Sequence, residues 1–229
     1  MTRFSAWATA WNVARVAMAV LVAAAVSAQF VSTVSFSAAR GRDLTTVVAN
    51  FFSFFTNLSN LAAVVVLALA GVGFFARGRR LGADRPALAT ALAWVSTYMI
   101  ITGIVYNLLL RGLPPQPESV GWSNEIVHVW APVFFLLDLL LGPGRRLPWK
   151  AALGAAIFPV AWIVYTLARG PFITNPTTGA PYWYPYPFFD PHTNGWGSVA
   201  VYIVVIAVAV VGLACGAVAI GRVRGIRSS

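Results

Sequence analysis

Apolar residues fill this chain in long runs, separated by short segments rich in Arg, Pro and Gly. The runs cover roughly 10–34, 48–75, 87–110, 124–141, 150–168 and 198–221. Each is near the ~20 residues that a helix needs to cross a bilayer, the fourth and fifth being the shortest. The pattern predicts an all-α protein: a single transmembrane domain over residues 1–229, a bundle of six transmembrane helices, with no soluble domain. No internal repeat interrupts this layout.

The polar positions inside the runs carry more information. In the second run, FFSFFTNLSNLAAVVV at 51–66, Ser53, Thr56, Asn57 and Asn60 recur at i, i+3, i+4 and i+7. On a continuous helix they form one polar stripe. Amides and hydroxyls facing lipid are costly, so the stripe must face protein or a wet cavity. In the third run Tyr98, Thr102 and Tyr106 share a face, with Asn107 beside the last of them. The fourth run places His128 inside EIVHVWAPVFFLLDLLL, one turn after Glu125. An ionisable residue at membrane depth is by default a candidate functional site.

Composition agrees with a membrane protein. The chain is 59% hydrophobic and 10% charged, with a mean hydropathy of +0.76, whereas charged residues make up about a quarter of a soluble domain. The net charge of +10 reads as orientation, not as nucleic-acid binding. With six spans, eleven cations fall on one side: Arg3, Arg77, Arg79, Arg80, Arg85, Arg145, Arg146, Lys150, Arg222, Arg224 and Arg227. Only Arg40, Arg42, Arg111 and Arg169 fall on the other. This asymmetry predicts cytoplasmic N- and C-termini. Arg15, the following apolar run and Val26-Ser27-Ala28 resemble a signal-peptide cleavage site. Apolar residues continue through Phe30 and Val31, however, so an uncleaved first helix is expected. The lone Cys215 excludes an intramolecular disulfide and reads as a packing residue.

The last outer loop, 169–197, holds six prolines and eight aromatic residues. Its proline density rules out a continuous helix. It reads as an interfacial aromatic belt, as a lid over an outward-facing cavity, or as both.

Helical rise puts Thr56 ~12 Å and His128 ~6 Å below the outer boundary. Tilt covers that difference, so the two can meet in the outer half of the bilayer. A hydroxyl beside an imidazole is the minimal nucleophile–base pair. Asn57, Asn60 or a tyrosine would then donate to the oxyanion, and Glu125 would orient the imidazole. The plainer reading is that these polar residues join neighbouring helices by hydrogen bonds. Arg15 and Asp138 match in depth near the cytoplasmic side and are opposite in charge, which predicts a structural ion pair facing the bundle.

Three blocks carry a resemblance to a known family: FFSFFTNLSNL at 51–61, HVWAPVFFLLDLLL at 128–141 and YPYPFFDPHTNGWGS at 184–198. Through them the chain resembles the bacterial branch of the androgen-induced protein family, which includes the androgen-dependent tissue-factor-pathway regulator of animals. The third block is most specific to bacterial members. Animal members hydrolyse fatty acid esters of hydroxy fatty acids with an intramembrane threonine and a histidine. The resemblance places the threonine on Thr56 and the histidine on His128. It implies a lipid-ester hydrolase in a bacterial plasma membrane, with membrane lipids and a lipid ester as partners and no cofactor.

Two other readings remain open: a non-catalytic lipid-binding or scaffolding protein with the same pocket, and a small-solute transporter. No acidic residue at mid-bilayer and no repeat support the transporter. Haem and metal centres are disfavoured, because the second histidine, His192, is in a loop and no Cys or carboxylate cluster accompanies His128. There is no G-x-S-x-G elbow and no deep lysine.

Overall fold

Each apolar run is helical, and among the described residues there is no strand. The structure, a computed structural model, describes residues 3–78 and 84–226; Arg79, Arg80 and Arg227 of the charge asymmetry lie outside them. The helices are α1 (Arg3–Ala38), α2 (Leu44–Phe51), α3 (Phe55–Ala76), α4 (Pro86–Val105), α5 (Gly121–Glu125), α6 (Ala131–Leu141), α7 (Lys150–Gly154), α8 (Ile157–Arg169) and α9 (Pro191–Ile226). Wider π turns extend α4 over Tyr106–Leu110 and join α5 to α6 over Ile126–Trp130. Six stretches are long and apolar enough to cross a membrane: Ala6–Ala38, Phe55–Ala76, Pro86–Leu110, Gly121–Leu141, Lys150–Phe172 and Pro191–Arg224. Large apolar side chains such as Val20, Val65, Leu69, Val164, Val204 and Val208 are exposed on the outside of the bundle. In water such a surface would aggregate; against lipid it is matched. The architecture is that of a multi-pass membrane protein.

The most buried of the six is the stretch containing α4, which packs against α3, α6 and α9. Its approach to α6 depends on Gly103. A Cβ there would lie 2.8 Å from Pro132 Cβ, so any side chain pushes the two helices apart.

Four departures from straight helix shape the bundle. The second run is not continuous, as the polar stripe assumed: α2 ends at Phe51 and α3 starts at Phe55. Local side chains compete for the backbone here. Asn57 Nδ2 donates to the Phe51 carbonyl (2.7 Å) and Ser53 Oγ donates to the Ala49 carbonyl (2.7 Å). The fifth run is also divided, at Ala155–Ala156. Pro159 has no N–H for the carbonyl four residues back, that of Ala155. Tyr98 Oη donates to that carbonyl instead (2.9 Å). Pro132 does the same to the His128 carbonyl, and the chain widens into the π turn just before it. Finally α9 kinks at Asn194 and Gly195, where Gly195 has φ 77°. Span six therefore begins at Pro191 with an off-axis turn, earlier than the apolar run at 198–221 implies.

The first turns of α1 and the last turn of α9 meet the end of α6, and there charges are buried. Arg15 Nε donates to Asp138 Oδ1 (2.8 Å) and Arg15 Nη2 to Asp138 Oδ2 (3.3 Å). Trp11 Nε1 adds a bond to Oδ1 (2.6 Å). Arg145 Nη2 also pairs with Asp138, and Asp84 Oδ2 lies 3.6 Å from Arg15 Nη1 and 3.9 Å from Arg145 Nε. Two arginines and two aspartates thus neutralise one another; Arg15, Arg145 and Asp138 are buried, and the Asp84 side chain is 7% exposed.

This arrangement predicts the outcome of Asp138→Asn. The substitution strands two buried guanidinium groups and should cost about 3–5 kcal/mol. Thermal unfolding in detergent and yield in membranes measure it. A variant as stable as wild type would show that the arginines are not held by this carboxylate.

Candidate functional site

The break at Phe52–Phe54 decides where the polar residues go. Phe54 is extended (φ −73°, ψ 127°) and offers no side chain to cap α3. The first N–H groups of α3 thus need a partner from elsewhere. Tyr186, from the Pro/aromatic loop, supplies it: the Thr56 N–H donates to Tyr186 Oη (3.2 Å), and Thr56 Oγ1 lies 3.2 Å from the same oxygen. Burial pushes the Tyr186 hydroxyl above its ordinary range, outweighing the opposing hydrogen bonds from Thr56 and Phe55. The phenol therefore keeps its proton and acts as a hydrogen-bond donor at neutral pH.

The loop that carries Tyr186 does not merely rest on the surface. Tyr186, Phe188 and Phe189 are buried, with the Tyr186 and Phe188 rings parallel at 5.2 Å. Trp162 meets Phe189 edge-on, and its Nε1 donates to the Ser53 carbonyl (2.9 Å). Beneath this plug lies a half-open apolar pocket with a cavity volume of about 50 Å³. Spans three, five and six wall it with Ile101, Val105, Pro159, Ile163, Ile206 and Val210. Its only polar side chains are Thr56, Thr102, Tyr106 and Tyr186, plus the indole of Trp162. The lining is apolar almost throughout, and Thr56 lies at the plugged end, where it meets Tyr186.

His128 stands behind the wall of this pocket. Its Nδ1 is 3.0 Å from the Asn124 carbonyl, which can only accept. In the neutral ring the proton is thus on Nδ1 and Nε2 keeps the basic lone pair. The Tyr106 ring lies flat on the imidazole, centroids 3.9 Å apart, and it is Tyr106, not His128, that lines the pocket. The Tyr106 hydroxyl is held by Asn124 Nδ2. Thr56 and His128 share no hydrogen bond. Asn60 ties Thr56 to the residue before His128, its Nδ2 donating to the carbonyls of Thr56 (2.9 Å) and Val127 (3.4 Å).

The remaining polar residues separate by partner. Thr102 faces Ser59 (3.3 Å) at the pocket. Ser53 turns to Tyr165 (2.9 Å) on span five, Tyr98 to span five through Ala155, and the Asn57 amide to Phe51. Glu125 pairs with Arg111 (3.0 Å), not with the imidazole. Arg111 in turn donates to Asn107 Oδ1 (2.8 Å), and Asn107 Nδ2 takes the His128 carbonyl that Pro132 leaves free (3.4 Å). Both amides expected to serve an oxyanion are therefore committed to backbone carbonyls. Tyr186 is the partner that local spacing missed, since it contacts Thr56 from 130 residues away.

Replacing Tyr186 by Phe should destabilise the protein by about 1–3 kcal/mol, because the Thr56 N–H is left buried without an acceptor. The folded state also holds the Tyr186 proton more tightly than the unfolded chain. Its contribution is complete below pH ~10 and is lost as pH rises further. Unfolding midpoints measured from neutral pH upward should fall more gently above that point in Tyr186→Phe than in wild type. An identical decline would mean that the phenol is not buried.

No protein-family model matches this chain, and no curated protein or solved structure does.

Proposed function

We propose that this protein binds the acyl chain of a membrane lipid ester in the pocket between spans three, five and six. It would lie in a bacterial plasma membrane with both termini cytoplasmic, so that the Pro/aromatic loop plugs the outer side. The observation that carries this reading is the placement of the Thr56 and Tyr186 hydroxyls together at the plugged end of a cavity lined mostly by apolar side chains. An ester carbonyl there takes the donors that Thr56 and Tyr186 now share with each other.

A second reading, intramembrane hydrolysis, is favoured by the two π turns that press Tyr106 onto His128 beside this pocket. Such turns recur at functional sites. When the Tyr106 ring swings aside, Nε2 of His128 faces the cavity. Thr56 Oγ1 then attacks the ester carbonyl carbon, its proton passes to Nε2, and the leaving alcohol takes that proton. Water, deprotonated by the same nitrogen, releases the acid and restores Thr56. The Tyr186 hydroxyl and the Thr56 N–H would hold the oxyanion.

Both readings are tested on purified protein with a panel of lipid esters. Acyl chains carrying bromine should quench the wild type more than Trp162→Phe, and Ile206→Phe should shrink that difference by filling the cavity. Hydrolysis, if present, should fall to background in Thr56→Ala and His128→Ala and by about 100-fold in Tyr186→Phe. That difference without turnover would leave lipid binding alone. Absence of the difference would remove the pocket from the function.

A further inference from the structure

A second, smaller site lies where the Pro/aromatic loop meets the C-terminal ends of α2 and α8. Ser53, Tyr165, Thr166, Arg169, Gly170, Trp183 and Pro185 line a seam of about 150 Å³ with no room for a water molecule. The seam is rich in donors, and none of its lining residues is acidic. Arg169 Nη2 donates to Asn50 Oδ1 (2.8 Å), and the guanidinium also lies 5.6 Å from the Trp183 ring. Among the described residues no carboxylate pairs with Arg169.

The seam and its immediate surroundings hold hydrogen-bonding groups with nothing to bond: Thr166 Oγ1 in its lining, Asn50 Nδ2 on the residue that Arg169 contacts, and Tyr184 Oη on the ring that packs against Gly170 are buried and unpartnered. Thr166 is only 4% exposed and Asn50 5%. Native proteins rarely leave such groups dry, and three beside one unpaired cation point to a missing acceptor. The group that fits is an oxyanion, which a guanidinium fork takes in two parallel bonds while hydroxyl and amide donors fill the remaining lone pairs.

We propose that the Trp183–Pro185 stretch moves off this seam and that Arg169, Thr166 and Asn50 then bind a phosphate group, either that of a phospholipid headgroup or free phosphate. Tyr186 and Phe189 stay anchored, so the movement is confined to the loop residues that form the outer wall. The site sits at the end of α8, the level at which lipid headgroups meet a membrane helix. It is distinct from the acyl pocket and does not depend on hydrolysis.

The test uses the full chain in a non-ionic detergent. Affinity is measured for a short-chain phosphatidylglycerol, for inorganic phosphate and for a diacylglycerol with the same chains and no phosphate. The wild type should bind the phosphatidylglycerol and ignore the diacylglycerol. Arg169→Gln should weaken binding on the order of tenfold or more, while Arg40→Gln, on the first outer loop, should not change it. Thr166→Val removes an unpartnered hydroxyl at constant shape, so it should raise the unfolding temperature without ligand and still weaken phosphate binding. Competition by inorganic phosphate would assign the site to the free anion; no competition would assign it to the lipid. Either result supports the site. Equal binding of the diacylglycerol, no binding by wild type, or unchanged affinity in Arg169→Gln would overturn it. Should Arg169→Gln fail to fold, unchanged affinity in Thr166→Val would do so.

Discussion

Every polar backbone group taken out of a helical ladder inside this bundle must find a partner, because lipid provides none. That constraint organises the structure. Pro159 frees the Ala155 carbonyl, and Tyr98 takes it. Pro132 frees the His128 carbonyl, and Asn107 takes it. The gap between α2 and α3 exposes the Phe51 and Ser53 carbonyls and the Thr56 N–H, which go to Asn57, Trp162 and Tyr186. Near the chain termini, Arg222 and Arg224 close the carbonyls of Leu147 and of Leu139 and Gly142. Polar side chains that look like a reactive array along the chain are in large part answers to broken helices.

This explains which features were legible. Length and hydropathy decide whether a segment can cross a bilayer, so six runs translate directly into six crossing helices. Arg15 and Asp138 were readable as partners because depth follows from helical rise and burial demands opposite charges. Asp84 and Arg145 escaped notice because they lie in connections, where rise says nothing about depth. The helix breaks left weaker traces. Pro132 and Pro159 do mark carbonyls that will lack a donor. The gap after Phe51 has no such marker; it forms because Ser53 and Asn57 hydrogen-bond locally, and the same residues fit a helical stripe equally well.

Tyr186 shows the limit most clearly. Its role depends on a loop of irregular backbone returning to the start of α3, and no periodicity predicts where such a loop lands. Composition revealed an aromatic plug or belt, and only geometry reveals that one hydroxyl of that loop caps Thr56. The same loop borders two cavities: Tyr186 and Phe189 line the apolar pocket, while Trp183 and Pro185 line the seam beside Arg169.

The arrangement around His128 follows from the same economy. Pro132 widens the helix, the wider turn directs Nδ1 back to the Asn124 carbonyl, and Asn124 in turn fixes the Tyr106 hydroxyl. Tyr106 is thereby held flat over the imidazole, between it and the cavity that contains Thr56. A side chain with two rotatable bonds and one hydrogen bond separates the basic nitrogen from the hydroxyl. The structure accordingly keeps the imidazole and the Thr56 hydroxyl apart, with the Tyr106 ring packed on the imidazole at the pocket wall.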